Sequence, residues 1–397
     1  MTASLNMKLR AVKWGEFKLT DVFQVKNTFN ILATVIHESS GSVPYLCASS
    51  ENNGVRTYIE YEKKYLEKGN CIFIGGKTFV VTYQKEDFFS NDSHNLALYL
   101  KRGKKSRAVF LFLASCIYKS LCRKYSWGDS ISKAKIQNDI IKLPVKDGQI
   151  DFEFMEAFVA ELEAERVAEL SAYLRVSGLD NYELSSAEEH VLQQYKTFNW
   201  GIYNLERLFG KSTRGKRLKG DDRIAGTLPF VTAGESSEGI SAYISNDVEV
   251  FEKNTTTIDM FGSAKYRNYQ YGADDHVAVV HTEAVPMKAA IFLTAAIHKA
   301  SHTGKFDYGH NFYAKDADAL DIMLPTKDGK PDYETMERFI SAIQKLVIKN
   351  VVQFTDRKLD TYKSIVPKNA FEYRYTEQKP LMAADGKPSD DDLFLID

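Results

Sequence analysis

The sequence predicts a mixed α/β protein made of two homologous domains and two long amphipathic helices. Three observations predict this class: segments of the first half recur in order in the second half, short β-rich runs alternate with helical patterns inside each copy, and a helical stretch follows each copy. The chain has 397 residues, enough for two or three domains. Its 44% hydrophobic and 26% charged residues are typical of a globular protein.

The duplication is visible as short blocks in matching order. The matching blocks are Trp14-Gly15 with Trp200-Gly201, Val43–Ile59 with Leu228–Ile244, and Leu143–Asp151 with Leu324–Asp332. A repeat of this length indicates a duplicated domain, because solenoid repeats are much shorter. We therefore predict domains at 14–149 and 200–330.

Within each predicted domain, β-rich runs and helical patterns alternate. Cys71–Ile74 and His276–Val280 are short apolar runs rich in β-branched residues. Val109–Leu121 and Met287–Ala300 have the apolar spacing of helices. Each domain is therefore expected to combine short strands with a helix.

A long amphipathic helix is predicted after each domain, at 150–175 and at 331–366. The apolar positions that step by three and four residues are Met155, Phe158, Leu162 and Leu170 in the first helix, and Met336, Phe339, Ile343, Leu346 and Phe354 in the second. Asn350 falls beside this stripe, and a polar residue there often fixes register in a coiled coil. The alternative is that each helix packs only on its own domain.

Two further segments complete the predicted order. Residues 176–199 are interpreted as a linker with a short helix, because Ser185 to Glu188 has the spacing of a helix start. Residues 367–397 are acidic and contain Gly, Pro and Ser, so we expect a flexible tail. Such a tail either keeps the protein soluble or has a regulatory role.

Several function classes are disfavoured by the sequence. The four cysteines lack Cys-x-x-Cys spacing, so no zinc site is expected. No secretory signal or membrane-spanning run is present, which leads us to expect a cytoplasmic protein. Gly210–Lys216 resembles a phosphate-binding loop, but Arg217 occupies the position that requires Ser or Thr. We predict no catalytic residues and no metal site.

Basic residues cluster in the loops of both copies although the net charge is only −1. Such loops suit phosphates and base edges, whereas the acidic helix and tail balance the total. The candidate DNA-binding residues are Lys77, Lys101, Arg102, Lys104, Lys105, Lys211, Arg214, Lys216, Arg217, Lys219, Lys265, Tyr266, Arg267 and Asn268. The alternative for any one cluster is a solvated surface with no ligand.

This layout resembles the DNA specificity subunits of type I restriction-modification systems and of the related type IIB enzymes. The resemblance covers about residues 14–365. It rests on the repeated Pro-Phe/Tyr block that runs through Gly to Tyr-Ile, on Gly215–Leu218, and on the Leu-Pro-x-Lys-Asp-Gly exit into each helix. The first copy departs from this pattern, because it has Val25–Thr28 where the second has Gly215–Leu218.

The resemblance implies a fold and a set of partners. Each domain would be a target recognition domain that reads one half of a bipartite sequence in double-stranded DNA. The helices would pack as an antiparallel coiled coil with pseudo-two-fold symmetry and dock two methyltransferase subunits, with a restriction subunit joining through them. S-adenosylmethionine, Mg²⁺ and ATP would then bind the partner subunits, and this chain would have no cofactor of its own.

Two other function classes remain open from the sequence alone. One is a two-domain protein-binding scaffold in which the basic loops are merely solvated. The other is a divergent DNA methyltransferase or nuclease, which would show turnover with the isolated chain.

Overall fold

The computed structural model describes residues 3–126 and 128–365. The described chain divides into two compact units, residues 3–170 with 358–365, and Ser171–Arg357. The predicted acidic tail at 367–397 lies outside the described residues. Within the described ranges, no helix combines the length and the apolar character needed to cross a bilayer.

The first unit is a mixed α/β domain followed by a long helix. Its elements are α1 Ala3–Ala11, β1 Lys13–Lys18, α2 Leu19–Val22, β2 Phe23–Asn27, β3 Val43–Leu46, β4 Val55–Ile59, β5 Cys71–Ile74, β6 Val81–Gln84, β7 Phe89–Ser90, β8 Leu96–Leu100, α3 Arg107–Leu121, β9 Ile140–Lys146, β10 Gln149–Ile150 and α4 Phe152–Val176. The strands form the sheets β2-β8-β5-β6, β4-β3-β7 and β1-β9-β10. Helix α3 buries Val109, Phe110 and Leu113 in the core against the four-stranded sheet.

The second unit repeats this plan. Its elements are α5 Ser186–Gln194, β11 Trp200–Asn204, α6 Leu205–Phe209, β12 Thr213–Arg214, β13 Ala225–Val231, β14 Ile240–Ile244, β15 Val250–Phe251, β16 Thr255–Asp259, β17 Ala264–Arg267, β18 Tyr271–Ala273, β19 Val277–Val280, α7 Met287–Ser301, α8 Ala314–Asp318, β20 Asp321–Lys327, β21 Lys330–Pro331 and α9 Tyr333–Ile365. The sheets are β12-β19-β16-β17, β14-β13-β18-β15 and β11-β20-β21. Even the parallel pair β3 with β7 has its counterpart in β13 with β18. The predicted mixed α/β class and the duplication are confirmed.

Each domain is closed by pairing between its first and last long strands. Strand β1 runs antiparallel to β9 with Trp14 opposite Pro144, and β11 runs antiparallel to β20 with Trp200 opposite Pro325. The Asp-Gly pair that follows has positive φ at both residues, 50° and 76° at Asp147-Gly148. Asn or Asp followed by Gly is the preferred sequence for such a two-residue hairpin turn. The repeated Lys-Asp-Gly motif is therefore a tight turn that leads into the long helix.

The repeated unit begins earlier in the chain than the sequence analysis indicated. Helix α1 packs Leu5 into the first core, and Lys8 pairs with Glu161 of α4. Helix α5 occupies the same place in the second copy, where Glu188 pairs with Lys345 of α9 at 2.8 Å. The α5 helix starts with the expected capping box at Ser185. Each copy therefore consists of a short helix, an α/β domain and a long helix.

The two long helices form where the sequence predicts them. Helix α4 has 25 residues and α9 has 33. Asp151 accepts a hydrogen bond from the backbone N–H of Phe154 at 2.8 Å, and Asp332 accepts one from Thr335 at 3.0 Å. Side-chain acceptors at these positions satisfy otherwise unpaired N–H groups of the first helical turn. The Asp that ends each repeated motif is thus the helix cap.

The buried face of the helices agrees with the prediction near their beginnings. Met155, Phe158 and Met336 are buried, and the half-buried predicted positions are Leu162, Leu170, Phe339 and Ile343. Further along α9 the predicted positions lie on the exposed side, with Leu346 46% exposed, Phe354 46% exposed and Asn350 also exposed. The buried residues there are Val352, Thr355 and Leu359. Because α9 is apolar over a broad face, spacing alone did not identify which edge of that face is buried.

Arg267, assigned from the sequence to a DNA-contacting surface, is instead in the interior of the second unit. It is 1% exposed. Its guanidinium donates to the hydroxyls of Thr257 and Tyr269, each at 2.9 Å, and lies 5.9 Å from the ring centroid of Tyr271. The hydroxyls satisfy the polar edge while the aromatic ring packs on its flat face. Arg267 is therefore a structural residue.

Replacing Arg267 should destabilise the second unit without any involvement of a ligand. We expect Arg267→Ala to lower the free energy of unfolding of the second unit by about 3 kcal/mol, because the change leaves a cavity and unpaired hydroxyls. Arg217→Ala is the matched control, since the Arg217 side chain is 60% exposed, and it should change stability by less than about 0.5 kcal/mol. Urea unfolding measures both variants, and equal effects would contradict the structural role.

Candidate nucleic-acid interface

Loops collect at one end of the sheet β12-β19-β16-β17 in the second unit. Strand β16 ends at Asp259 opposite Val277, where β19 begins, so the turn 260–263 and the loop 274–276 lie together. Strand β12 leads to the same end, where Arg217 lies 3.9 Å from Asp275. We call this the second loop end, defined by residues 215–217, 232–235, 259–265, 274–276, 298 and 302–311.

Gly215 makes the close approach at this end possible. A Cβ atom at position 215 would lie 1.6 Å from the carbonyl oxygen of Ala273. Any side chain would therefore displace the backbone that carries Lys216 and Arg217, both of which are exposed. This explains why glycine opens the Gly-Lys-Arg-Leu motif.

A network of hydrogen bonds holds the second loop end in place. The buried carboxylate of Asp259 accepts from the backbone N–H groups of Phe261 at 3.0 Å and Ser263 at 2.9 Å. Lys265 donates to Ser263 at 2.9 Å and to Glu235 at 3.3 Å. The hydrogen bond with Ser263 and the nearby Lys265 lower the pKa of Glu235. Lys265 is therefore held in place by Ser263 and Glu235, with 15% of its side chain exposed.

Two histidines that the sequence analysis did not select also lie here. The Nδ1 atom of His298 accepts a hydrogen bond from the backbone N–H of Ala264 at 3.1 Å. Burial lowers the pKa of His298, and the charge of the stacked His302 lowers it further. His302 itself is exposed. The pair therefore consists of a positioned imidazole with a lowered pKa and an exposed imidazole whose Nδ1 lies 3.2 Å from the carbonyl oxygen of Phe261.

The other predicted residues of the second unit do not join this end. Lys211 precedes β12 at the opposite end, where the next residues bond Asp318 and His281. Tyr266 donates to Asn254 at 2.8 Å, and the exposed Asn268 follows the far end of β17. Arg214, within β12, and Lys219, further along the same loop, are exposed. Of the fourteen predicted residues, Lys216, Arg217 and Lys265 are the ones that the second loop end brings together.

The first unit has an equivalent end with different residues. Strand β5 ends at Ile74 opposite Leu96, so the hairpin 75–80 and the loop 92–95 lie together. We call these two segments the first loop end. Lys77 is exposed there, 3.8 Å from Asp92. Although burial alone would raise the pKa of Asp92, hydrogen bonds from His94 lower it, so Lys77 faces an ionised carboxylate.

The second basic cluster of the first unit lies at the opposite end of strand β8. Lys101 donates to the Thr20 carbonyl at 2.6 Å, and Arg102 donates to Gln149 at 2.8 Å. Lys105 lies 4.5 Å from the ring centroid of Phe152, and Lys104 is exposed beside it. Arg102 and Lys105 thus lie near the start of α4, and none of the four residues is grouped with Lys77.

The two units differ most in the segment that follows β2 and β12, where the sequence of the first copy departs from that of the second. The segment between β12 and β13 is the basic loop 215–224, whereas the corresponding segment between β2 and β3 is 28–42. That segment exposes Phe29 by 46%, Leu32 by 57% and Val35 by 52%. The same topological position is therefore basic in one copy and apolar in the other.

One group of residues in the described chain has the spacing of a cation site. Ligand atoms of Asp274, Asp275 and His276 lie within 4.8 Å of one another. Burial raises the pKa of Asp274, and the Arg217 guanidinium is close to Asp275. A positive charge is thus already provided by the protein, so we assign no metal to this group.

Comparisons with known proteins identify the family. The family model of the type I restriction modification DNA specificity domain matches residues 11–172 and 198–353. The specificity subunit S.BcgI of a type II restriction enzyme, from Heyndrickxia coagulans, is 24% identical over 345 residues that cover 85% of this chain and 96% of the relative. The crystal structure of a type I restriction-modification S subunit from M. genitalium has a TM-score of 0.54 at 14% identity, covering 89% of this chain and 94% of that one. The chain therefore belongs to the type I restriction-modification DNA specificity domain family and contains two copies of that domain.

Proposed function

We propose that this chain reads a bipartite sequence in double-stranded DNA, with one domain for each half-site. The observation that supports this most directly is the pair of loop ends, which have the same sheet framework and different side chains. Loops on a rigid scaffold are the usual place for binding residues. Two different half-sites would require two such differing surfaces.

The residues proposed to contact DNA are fewer than the sequence suggested. In the second domain they are Lys216, Arg217 and the positioned Lys265, and in the first domain Lys77. Lysine and arginine contacts to phosphates orient a protein on the duplex, and base contacts then supply sequence specificity. The apolar loop 28–42 would suit thymine methyl groups better than phosphates.

The two long helices would set the spacing between half-sites. Helix α4, with 25 residues, spans about 37 Å at 1.5 Å per residue, close to the roughly 34 Å of one duplex turn. In the first unit Tyr362 of α9 donates to Glu163 of α4, and in the second unit Leu174 of α4 and Val352 of α9 line one cavity. This order of partners supports an antiparallel pair.

Catalysis would belong to partner subunits. We propose that two methyltransferase subunits dock on the helices and that a restriction subunit joins through them, so that S-adenosylmethionine, Mg²⁺ and ATP bind those partners. The exposed apolar residues Leu346, Val347 and Val351 on α9 support a docking face. Such a complex would act on DNA in the cytoplasm.

Exchanging residues 200–330 for the corresponding domain of another family member tests the bipartite proposal. We expect one half of the methylated sequence to change while the other half stays the same, since each domain reads its own half-site. Sequencing of methylated sites in cells that also express a methyltransferase subunit able to pair with this chain provides the measurement. A change in both halves would contradict the division of labour between the domains.

The role of the basic loop can be tested by the salt dependence of binding. Arg217→Ala should reduce the slope of log affinity against log salt concentration by about 0.9, the value for one lost phosphate contact. Lys211→Ala is the control, because Lys211 lies at the opposite end of the sheet, and its slope should match the wild-type slope. Fluorescence anisotropy with duplex DNA measures both, and an unaltered slope for Arg217→Ala would remove this loop from the proposed interface.

Docking on α9 predicts a selective loss of the partner. Val347→Asp should abolish copurification of the methyltransferase subunit, because a carboxylate would be buried in the interface. The Val347 side chain is 74% exposed, so the stability of the isolated chain should be unaffected. Lys349→Asp, on the opposite side of the helix, is the control. If the Val347 variant retains its partner, the docking face lies elsewhere.

A further inference from the structure

An exposed tyrosine sits at the tip of a well-supported turn in the second loop end. Tyr308 is 84% exposed. The turn beneath it is closed by backbone hydrogen bonds between Asp307 and His310 in both directions. The Asp307 carboxylate also accepts from the N–H groups of Gly309 at 2.8 Å and His310 at 2.9 Å. The backbone around Tyr308 is therefore fixed by four hydrogen bonds.

Packing below the turn limits its movement further. Phe306 packs against His310 at 5.5 Å and against Phe312 at 4.9 Å between ring centroids. Phe312 is buried, and its N–H donates to the carbonyl of Met260 at 2.9 Å. The Tyr308 ring meets Phe261 edge to face at 5.2 Å. An aromatic side chain held in this way loses little conformational entropy when it binds a ligand.

The segment around Tyr308 carries exposed side chains that can donate hydrogen bonds to a phosphate. His302, Lys305 and His310 are exposed on the same segment, and Asp307 is used by the turn itself. Phe261 lies two residues after Asp259, which pairs with Val277 at the start of β19. Arg217 lies near Asp275, just before that strand, so Phe261 is at the same end of the sheet as the Arg217 loop. The tyrosine thus projects from the end of the domain that carries the exposed cations.

The first domain contains the same turn in its sequence and backbone pairing. Ser126 and Asp129 form the antiparallel bridge that Asp307 and His310 form in the second domain. Trp127 precedes Gly128 as Tyr308 precedes Gly309. Trp127 lies outside the described residues, so its correspondence rests on the sequence. An aromatic residue before glycine at this turn is thus a shared feature of two domains that otherwise differ in their loops.

We propose that Tyr308 is a base-contacting residue that enters a groove of the second half-site. This inference rests on the proposed function, because it assigns a contact within that DNA interface. The ring offers a flat apolar surface for the bases and the thymine methyl groups, and the hydroxyl is free to donate to a base edge. The flanking cations would hold the adjacent phosphates.

Photo-crosslinking tests the contact without knowledge of the target sequence. The full chain is incubated with a pool of random duplexes in which 5-iododeoxyuridine replaces thymidine, irradiated, digested, and analysed by mass spectrometry. We expect a crosslinked peptide that contains Tyr308. Crosslinks confined to other segments would overturn this proposal and leave the proposed function standing. If the chain retains no duplex at any salt concentration, both fail.

Substitutions then separate the ring from the hydroxyl. Against the duplex enriched from the same pool without iodine, Tyr308→Ala should weaken binding about tenfold, within the range of a lost base contact. Tyr308→Phe should stay within about threefold, since the ring is retained. Tyr173→Ala is the matched control, an exposed tyrosine on α4 that should bind like the wild type. Equal affinity of Tyr308→Ala and the wild type would also overturn the proposal.

Discussion

Antiparallel pairing between the first and last long strands of each domain is the constraint on which the rest of the structure depends. It brings the chain back to the point where it entered, at Trp14 opposite Pro144 and at Trp200 opposite Pro325. The Asp-Gly turn and the Asp cap then start a long helix at that point. Because the helix starts at a fixed strand, the length of the helix sets the distance between its far end and the domain.

The sequence predicted the parts of this arrangement that depend on local chemistry. The Asp-Gly turns, the caps at Asp151 and Asp332 and the capping box at Ser185 each have a short-range cause, so spacing was sufficient. It missed α1, which has a weak apolar pattern and is held by contacts with the first domain. It also could not locate the buried edge of α9, since that depends on which neighbouring surface the helix meets.

The candidate site was less predictable because charge alone does not reveal burial. Arg217 and Arg267 have the same side chain in similarly polar segments, yet one is 60% exposed at its side chain and the other is 1% exposed as a residue. The difference comes from the hydroxyls of Thr257 and Tyr269 and the ring of Tyr271, which enclose the Arg267 guanidinium once the strands have paired. Lys77 and the cluster at 101–105 likewise looked alike in the sequence. Lys77 lies near the beginning of strand β8 and the cluster follows its end, so they are at opposite ends of the sheet.

The distribution of charge also bears on how the two domains would divide the work of binding. At the same topological position one domain has a basic loop and the other exposes Phe29, Leu32 and Val35. Phosphate contacts lose affinity steeply as salt rises, whereas apolar contacts do not. A complex built on both would combine contacts that weaken as salt rises with contacts that persist at high salt. The net charge of −1 is therefore compatible with strong local attraction to DNA, because it is the sum over the whole chain and does not describe the charge at either loop end.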